Sequence, residues 1–391
     1  MRLVATWIVM NLSPVGILTN GRNKQQTKRN GSNECGDIQP EWIHTFHTIT
    51  SFSYDESTAQ CSGAQLASIA VMRMLVTGGA GYIGSHLVDR LVTLKHDVVV
   101  LDDLSTGNIA NLNQVAPQIR FVEGTILDSK TVSSLVAESE VVFHLAAAVG
   151  VGHIVEKPLT SLITNTKGAE NVIDACVEHG AKLLLASTSE IYGKTGKMPM
   201  SEDDDRVLGS TTIARWGYST AKAIDEHLAL AYAQQGLRMS IVRYFNSYGP
   251  RLDPRGYGSV VANLVRQALD NEELTVHGDG NQTRCFTYVE DTVEGTLRAA
   301  LDPRGEGMVF NIGNNKETTI NDLAQLIISM TGSSSKIRHV SYETRYGRGF
   351  EDTKRRVPDV RRAAETIGFT ASTELKEGLV RTLHWWREHY S

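Results

Sequence analysis

The sequence has few cysteines, and the four that it has lie far apart. They are Cys35, Cys61, Cys176 and Cys285. None belongs to the closely spaced pairs that bind zinc, and four scattered thiols in a chain of 391 residues do not make a disulfide framework. We therefore expect no metal site, and we expect a reducing compartment, the cytoplasm.

The sequence also lacks a large excess of one charge. Charged residues make up 21% of the chain, hydrophobic residues make up 41%, and the formal net charge is -5. These values are ordinary for a globular protein, and they provide no basic surface for a nucleic acid. The composition therefore predicts no nucleic-acid partner.

Long uninterrupted hydrophobic runs are missing as well. Residues 3–18 are apolar, but Asn11, Ser13 and Pro14 interrupt them, and the stretch is shorter than a membrane span. We therefore expect no membrane partner. Residues 1–71 show no persistent hydrophobic period, which predicts a mostly disordered extension, or a misassigned start, that is dispensable for activity.

The sequence does contain a glycine-rich motif between two apolar runs. Gly78, Gly81 and Gly84 are spaced three apart after the run 74–77, and the second run ends at Asp102. Gly78 permits a tight turn, Gly81 lets a pyrophosphate approach the backbone, and Gly84 lets the next helix pack closely. The N-terminus of that helix favours an anion, and the carboxylate of Asp102 is placed to accept a hydrogen bond from a ribose 2′-hydroxyl. The spacing predicts a strand–helix–strand unit that binds NAD rather than NADP.

From residue 72, short apolar runs alternate with helical stretches. The predicted strands are 74–77, 97–102, 119–123, 141–146, 182–188 and 238–245. This alternation is typical of an α/β fold with a Rossmann-type, doubly wound parallel sheet. We predict an NAD-binding domain over 72–250, and we interpret the acidic run 202–205 as a solvated loop.

After residue 250 the alternation loosens. Helical spacing covers 260–269, 289–301, 320–331 and 375–386, and short strands are predicted at 274–277 and 309–312. This pattern predicts that 251–391 is mainly a smaller C-terminal α/β lobe. Such a lobe would bind substrate over the carboxyl ends of the strands, where sheets of this kind place their ligands.

A tyrosine and a lysine lie four residues apart at the start of a predicted helix, after the fifth predicted strand and the polar connection that follows it. Tyr218 and Lys222 lie on one helix face, where the ammonium, with the positive nicotinamide ring nearby, should lower a phenol pKa of roughly 10 and let Tyr218 act as a base. Thr188, which ends that strand, can bond the same substrate oxygen. Asn165 is a poor helix former, so it can bond a backbone group or water in the site. Each residue also has a plain structural interpretation, as a strand residue or part of a solvated helix face.

Together these motifs resemble the extended short-chain dehydrogenase/reductase family, in its nucleotide-sugar epimerase, dehydratase and decarboxylase branch. The matching segments are 77–84, 102–104, 143–147, 188–193, 218 with 222, 243–246 and 249–251. The resemblance covers nearly everything from Met74 to the C-terminus. Such a set in this order is specific for the branch but much less specific for the substrate.

The resemblance implies roles for individual residues. The implied catalytic residues are Tyr218, Lys222, Thr188, Ser189 and Glu190. The implied cofactor-binding residues are Gly78, Gly81, Tyr82, Ile83, Gly84, Asp102, Ile126, Ala146, Ala147 and Asn165, with Tyr218 and Lys222. The implied residues for a UDP-sugar are Asn246, Arg251, Arg284 and Arg348, the last with Asp352. Relatives also imply a homodimer.

One position departs from the family pattern. Many relatives carry an aspartate after the third strand that meets the adenine amine, whereas Thr125 follows Gly124 here. The resemblance therefore leaves the adenine contact to backbone groups of Ile126.

The resemblance also implies a shared first step, in which Tyr218 takes the proton of the carbon-4 hydroxyl while a hydride passes to NAD. We prefer 4-epimerisation of a UDP-sugar, of the UDP-glucuronate or UDP-glucose class, because 215–218 and 243–251 resemble uronate-handling epimerases. Arg251 would then pin a carboxylate.

The alternative is a UDP-glucuronate decarboxylase, because Ser189, Glu190 and Arg284 resemble the pattern of those enzymes. Glu190 beside the sugar carboxylate would favour its departure by repulsion. Dehydration ranks low because Ser189 stands where dehydratases usually carry aspartate. An NAD-binding sensor without turnover is a further, weaker alternative.

Overall fold

The computed structural model describes residues 70–150, 157–253, 259–342 and 352–390. The described residues belong to one compact unit. The predicted N-terminal extension lies outside them up to residue 69, and so does Arg348. Within the described ranges, no helix has both the length and the apolar character needed to cross a membrane.

Seven parallel strands form the central sheet. They are β1 (Arg73–Thr77), β2 (Asp97–Asp102), β3 (Ile119–Glu123), β4 (Val141–His144), β5 (Lys182–Thr188), β6 (Met239–Tyr244) and β11 (Val309–Ile312). Their order across the sheet is β11-β6-β5-β4-β1-β2-β3. The six strands predicted for the NAD-binding domain are confirmed. The strand predicted at 309–312 pairs with β6, so it extends this sheet rather than the smaller lobe.

Helices cover both faces of the sheet, which explains why the inner strands carry apolar residues on both faces. Along β1, Met74 and Val76 point to one face and Leu75 points to the other. The first face packs on α1 (Tyr82–Thr93), α6 (Val289–Leu301) and α8 (Arg361–Ile367). The second face packs on α2 (Ser129–Ala137), α3 (Pro158–His179) and α4 (Arg215–Ala233). The predicted doubly wound architecture is confirmed.

A third hydrophobic core lies in the C-terminal part of the chain. It joins α5 (Val260–Leu269), α7 (Ile320–Thr331) and α9 (Leu375–Tyr390). Three short sheets accompany it, formed by β7 (Ser247–Tyr248) with β10 (Thr287–Tyr288), β8 (Leu274–His277) with β13 (Ile337–Val340), and β9 (Thr283–Cys285) with β12 (Glu317–Thr319). This part is a smaller α/β lobe.

The acidic run 202–205 is only in part the solvated loop that its composition suggested, because Asp203 and Asp205 are exposed but the other two carboxylates are engaged in the fold. Glu202 is buried and accepts from the backbone N–H of Asn311 in β11 at 2.8 Å. Asp203 pairs with Arg362 of α8, and Asp204 accepts from the N–H of Ser201 at 2.8 Å. The run therefore fastens the long connection between β5 and α4 to the C-terminal part of the chain.

Candidate active site

The glycine-rich turn after β1 leaves no room for a Cβ atom at two of its glycines. Gly78 has a φ of +74°, and a Cβ on it would lie 2.6 Å from the backbone nitrogen of Ala146. A Cβ on Gly84 would lie 2.1 Å from the carbonyl oxygen of Gly78. Gly81 precedes α1, and no side chain of the described residues caps that N-terminus. Its free N–H groups are therefore available to an anion.

Asp102 ends β2 and holds the same turn in place. Its Oδ2 accepts from the N–H of Ala80 at 2.9 Å, and its Oδ1 accepts from the N–H of Leu104 at 2.8 Å. Burial raises the pKa of this carboxyl group, while the two backbone N–H groups oppose the rise. Asp102 therefore organises the turn, and each oxygen keeps a lone pair for a further donor.

A cavity of about 480 Å³, the first cavity, lies over this turn. Most of the predicted cofactor residues line it: Gly78, Gly81, Tyr82, Ile83, Gly84, Asp102, Ile126, Ala146, Ala147, Tyr218 and Lys222. The cavity combines a glycine cradle, a helix N-terminus and an acid at the end of the second strand. These features fit a dinucleotide, with its pyrophosphate on the amides of α1.

Asn165 lies behind the wall of the first cavity instead of in it. The residue is 1% exposed, its Oδ1 accepts from the N–H of Ala148 at 2.8 Å, and its Nδ2 donates to the carbonyl of Ala148 at 3.1 Å. Its amide therefore fixes the backbone that follows β4. The expectation that Asn165 bonds a backbone group is met, but the amide supports Ala148 and not the catalytic pair.

Tyr218 and Lys222 both face the first cavity from α4. The ammonium of Lys222 donates to Oδ2 of the fully buried Asp225 at 3.2 Å, so its charge is paired within the same helix. Burial raises the pKa of Tyr218, and the carboxylates of Glu190 and Asp225 raise it further. The protein's own groups thus raise this pKa, chiefly through burial, whereas the predicted lowering also included the positive charge of the nicotinamide.

Thr188 and the two residues after it begin a short 3₁₀ turn at the end of β5. The Thr188 hydroxyl accepts from the N–H of Glu190 at 3.2 Å, and the Ser189 hydroxyl accepts from Arg356 at 3.4 Å. The described walls of the two cavities include neither Thr188 nor Ser189. Their catalytic roles stay predictions.

A second cavity, of about 340 Å³, adjoins the first. The two share Tyr82, Ile83, Tyr244, Ser247 and Ser259. Five ionised side chains line the second cavity and form the arginine–carboxylate cluster: Glu190, Arg215, Arg284, Asp352 and Arg356. Charged residues line the first cavity as well, namely Asp102, Asp103, Lys157, Lys222 and Asp253; what distinguishes the second is that its arginines pair with its carboxylates.

The cluster is a chain of alternating charges. Arg356 contacts Oε1 of Glu190 at 2.9 Å, and Arg215 donates to both Glu190 oxygens at 3.1 and 3.2 Å. Arg284 donates to both oxygens of Asp352 at 3.0 Å. Although burial opposes ionisation of Glu190, Arg356 and Arg215 hold its pKa below the usual range.

Asp352 behaves in the same way. Burial favours its neutral form, but Arg284, Arg215 and Arg356 hold the pKa of Asp352 below the usual range, and Tyr342 donates to it at 2.8 Å. Both carboxylates of the cluster are therefore ionised at neutral pH.

The remaining residues predicted to bind substrate do not all lie in the second cavity. Asn246 lines the second cavity, and its Oδ1 is buried without a hydrogen-bond partner among the described residues. Arg284 lines it as well. Arg251 lies elsewhere, because its guanidinium donates to Asp89 of α1 at 2.6 Å and is absent from the described walls of both cavities. Arg348 lies outside the described residues.

Sequence reasoning assigned no role in the site to three residues that line the second cavity. Arg215 lies three residues before Tyr218, in a segment that carries the family resemblance but for which the resemblance implied no function of Arg215. Arg356 ends the basic run 354–356, and Tyr342 follows β13 without any motif. The tertiary fold alone brings these side chains to Glu190 and Asp352.

Known proteins share this architecture. The family described as the NAD dependent epimerase/dehydratase family matches residues 74–313. A UDP-N-acetyl-α-D-glucosaminuronate decarboxylase of Bacillus cytotoxicus is 44% identical over 316 residues, which cover 81% of this chain and 98% of that protein. UDP-glucuronic acid decarboxylase 1 of Xenopus tropicalis is 36% identical over 320 residues, which cover 81% of this chain and 72% of that protein.

A solved structure adds a relative with another activity. The UDP-glucose 4-epimerase of Thermotoga maritima, crystallised with UDP-glucose, superposes with a TM-score of 0.75 at 33% identity, covering 82% of this chain and 100% of that one. Two of these relatives are named as decarboxylases and one as an epimerase, so they differ in reaction. As the resemblance predicted, the chain belongs to the NAD-dependent epimerase/dehydratase family and uses NAD as its cofactor.

Proposed function

We propose that the protein is an NAD-dependent decarboxylase that acts on a UDP-hexuronate. The observation that carries the proposal is the ionised Glu190, held between Arg215 and Arg356 in the second cavity, with its backbone carbonyl accepting from Ser219, the residue after Tyr218. The relatives from Bacillus cytotoxicus and Xenopus tropicalis, both described as decarboxylases, support the same activity. Decarboxylation therefore replaces 4-epimerisation, which the sequence favoured.

The position of Arg251 also weakens the epimerase interpretation. An epimerase that acts on a hexuronate must hold the carboxylate so that its loss is suppressed, and Arg251 was the residue expected to do so. Its guanidinium is paired with Asp89 at 2.6 Å instead. The described part of the second cavity therefore lacks the restraint on which the epimerase prediction relied.

The protein's residues divide the chemistry between the two cavities. NAD, when bound, accepts a hydride from sugar carbon 4 and later returns it. Tyr218 accepts the proton of the carbon-4 hydroxyl, and Lys222 brings a positive charge to the same cavity. Because burial and two carboxylates raise the pKa of Tyr218, its phenolate needs further positive charge in the first cavity, where the oxidised nicotinamide would lie.

Glu190 then acts on the oxidised sugar. A 4-keto hexuronate is a β-keto acid, so the bond between carbons 5 and 6 breaks as its electron pair moves to the carbon-4 oxygen and carbon dioxide leaves. An ionised Glu190 beside the sugar carboxylate disfavours the charged ground state by repulsion. Tyr218, now a neutral phenol, can donate its proton to the carbon-4 oxygen. Water then supplies a proton to carbon 5, and the carbon-4 hydroxyl returns its proton to the Tyr218 phenolate, which restores the ketone for the returning hydride.

Two further properties belong to the proposal. Apolar side chains on α3 and α4 are exposed, including Leu159 at 70%, Ile163 at 43% and Ile224 at 43%, and these support a homodimer formed through the two helices. Cys176 and Cys285 are buried free thiols, which suits the cytoplasm.

The test offers the purified protein UDP-glucuronate, UDP-N-acetylglucosaminuronate and UDP-glucose in separate reactions. We expect carbon dioxide and a five-carbon UDP-sugar from at least one hexuronate, and no carbon dioxide from UDP-glucose. A six-carbon 4-epimer without carbon dioxide would establish the epimerase interpretation instead. No product from any of the three would favour the sensor.

A further inference from the structure

Arg215 occupies the middle of the arginine–carboxylate cluster. It is the first residue of α4, and its side chain is 7% exposed. Its guanidinium lies 3.1 Å from Glu190, which follows β5, and 3.4 Å from Asp352, which comes from the C-terminal part of the chain. One side chain thus contacts a carboxylate on each side of the second cavity.

The other two arginines of the cluster are engaged at its ends. Arg356 contacts Glu190 at 2.9 Å, and Arg284 contacts Asp352 at 3.0 Å. Arg215 joins these two pairs into one sequence of charges. A planar guanidinium suits this position because its N–H groups can serve two carboxylates at fixed angles, whereas an ammonium is a single point charge.

Arg215 also lies on the helical turn that carries the predicted base. Tyr218 follows it by three residues, and the next residue, Ser219, donates from its hydroxyl to the backbone carbonyl of Glu190 at 2.8 Å. The start of α4 therefore holds Glu190 twice, by its backbone and by its carboxylate. Any displacement of Glu190 relative to Tyr218 must break one of these contacts.

We propose that Arg215 is a positioning residue that fixes the Glu190 carboxylate relative to Tyr218 and to the Asp352 side of the second cavity. The inference rests on the proposed decarboxylation. It assigns to Arg215 the loss of carbon dioxide but not the preceding oxidation, because Tyr218 and Lys222 line the first cavity and the ion pairs of the cluster include neither of them.

The test separates those two steps in Arg215→Gln and Arg215→Lys. In single turnovers with the active hexuronate, the absorbance of reduced nicotinamide reports oxidation, and trapped carbon dioxide reports decarboxylation. For Arg215→Gln we expect oxidation near the wild-type rate, accumulation of reduced nicotinamide, and carbon dioxide release slowed on the order of a hundredfold, the usual cost of a misplaced group.

Arg215→Lys keeps the charge but not the fork, so we expect it to fold, retain NAD and still release carbon dioxide more slowly than wild type. If Arg215→Gln does not fold, accumulation of reduced nicotinamide in Arg215→Lys carries the test. The control Arg338→Gln removes an exposed arginine that pairs with Glu273 at 3.4 Å, and it should behave as wild type.

Several outcomes overturn the inference. Equal losses of oxidation and decarboxylation in Arg215→Gln would make Arg215 a substrate-binding residue, and full activity in Arg215→Lys would mean that charge alone suffices. Wild-type rates in both variants would remove Arg215 from the reaction. A wild-type protein that releases no carbon dioxide from any UDP-hexuronate would overturn the proposed function, and this inference with it.

Discussion

The first and second cavities adjoin each other but are built in different ways. The wall of the first comes largely from backbone and small residues of consecutive strand–helix units, such as Gly78, Gly84 and Ala146. The wall of the second depends on ionised side chains that lie far apart in the chain, such as Glu190 and Arg356. The first should therefore be sensitive to added volume, and the second to removed charge.

The largest expected effect falls on Tyr218, which belongs to the first cavity but serves the reaction in both. Tyr218→Phe keeps the ring and removes the proton acceptor, so we expect turnover to fall about 10²–10⁴-fold. NAD should remain bound, which nicotinamide released from the denatured variant would show. Near-normal turnover would remove Tyr218 from its assigned role.

Removal of charge from the second cavity should come next. Arg356→Met removes one of the two guanidinium partners of Glu190 in a nearly buried pair, so we expect the free energy of unfolding to fall by about 3 kcal/mol. Urea unfolding would measure the change. Arg355→Met is the matched control, because the neighbouring arginine pairs with Glu317 at the surface and should contribute little. Equal effects of the two substitutions would contradict the contrast between the cavities.

Added volume in the first cavity should have a somewhat smaller effect on stability. In Gly84→Ala the new Cβ would lie 2.1 Å from a backbone oxygen that cannot move freely, so we expect a loss of about 1–3 kcal/mol. The variant should also lose NAD on purification, while UDP still binds the second cavity. Calorimetric titration with NAD and UDP would measure binding to the two sites separately. Retained NAD affinity would contradict the prediction, because it would show that the glycine-rich turn can shift to accommodate the added methyl group.

The smallest expected effect concerns pH. Burial, with the positive charge of Lys222, lowers the pKa of His144 to about 3, whereas an unfolded histidine titrates at about 6.5. Between these two values the His144 side chain is protonated in the unfolded chain but not in the folded chain. The free energy of unfolding therefore falls as pH falls from about 6.5 towards 3. His144→Gln should flatten this dependence in urea unfolding at about pH 7 and about pH 5. An unchanged slope would assign the acid sensitivity to other groups.

The same contrast explains what could be predicted from the sequence. The turn at Gly78 and the acid at Asp102 belong to one local unit whose spacing fixes its geometry, so that half of the site followed from the motif. Arg215 and Arg356 meet Glu190 only after the chain has folded, and no spacing between residues 190, 215 and 356 encodes that meeting. The buried Glu202 escaped prediction for the same reason, because its partner Asn311 lies 109 residues away.

The protein's own effect on the pKa of Tyr218 was missed because burial, its largest cause, is a property of the fold. The spacing of Tyr218 and Lys222 correctly placed both side chains at one cavity. It could not reveal that Asp225, three residues further on, pairs with the ammonium inside the fold. Counter-ions on the same helix change the electrostatics of a motif without changing the motif.

The central claim is that one bound cofactor oxidises and then reduces the same sugar while its carboxylate is lost. The most direct measurement uses a UDP-hexuronate with deuterium at carbon 4, offered to the purified protein without added NAD. We predict a five-carbon UDP-sugar that retains the deuterium at carbon 4. A six-carbon product, or a five-carbon product that has lost the deuterium, would contradict the account.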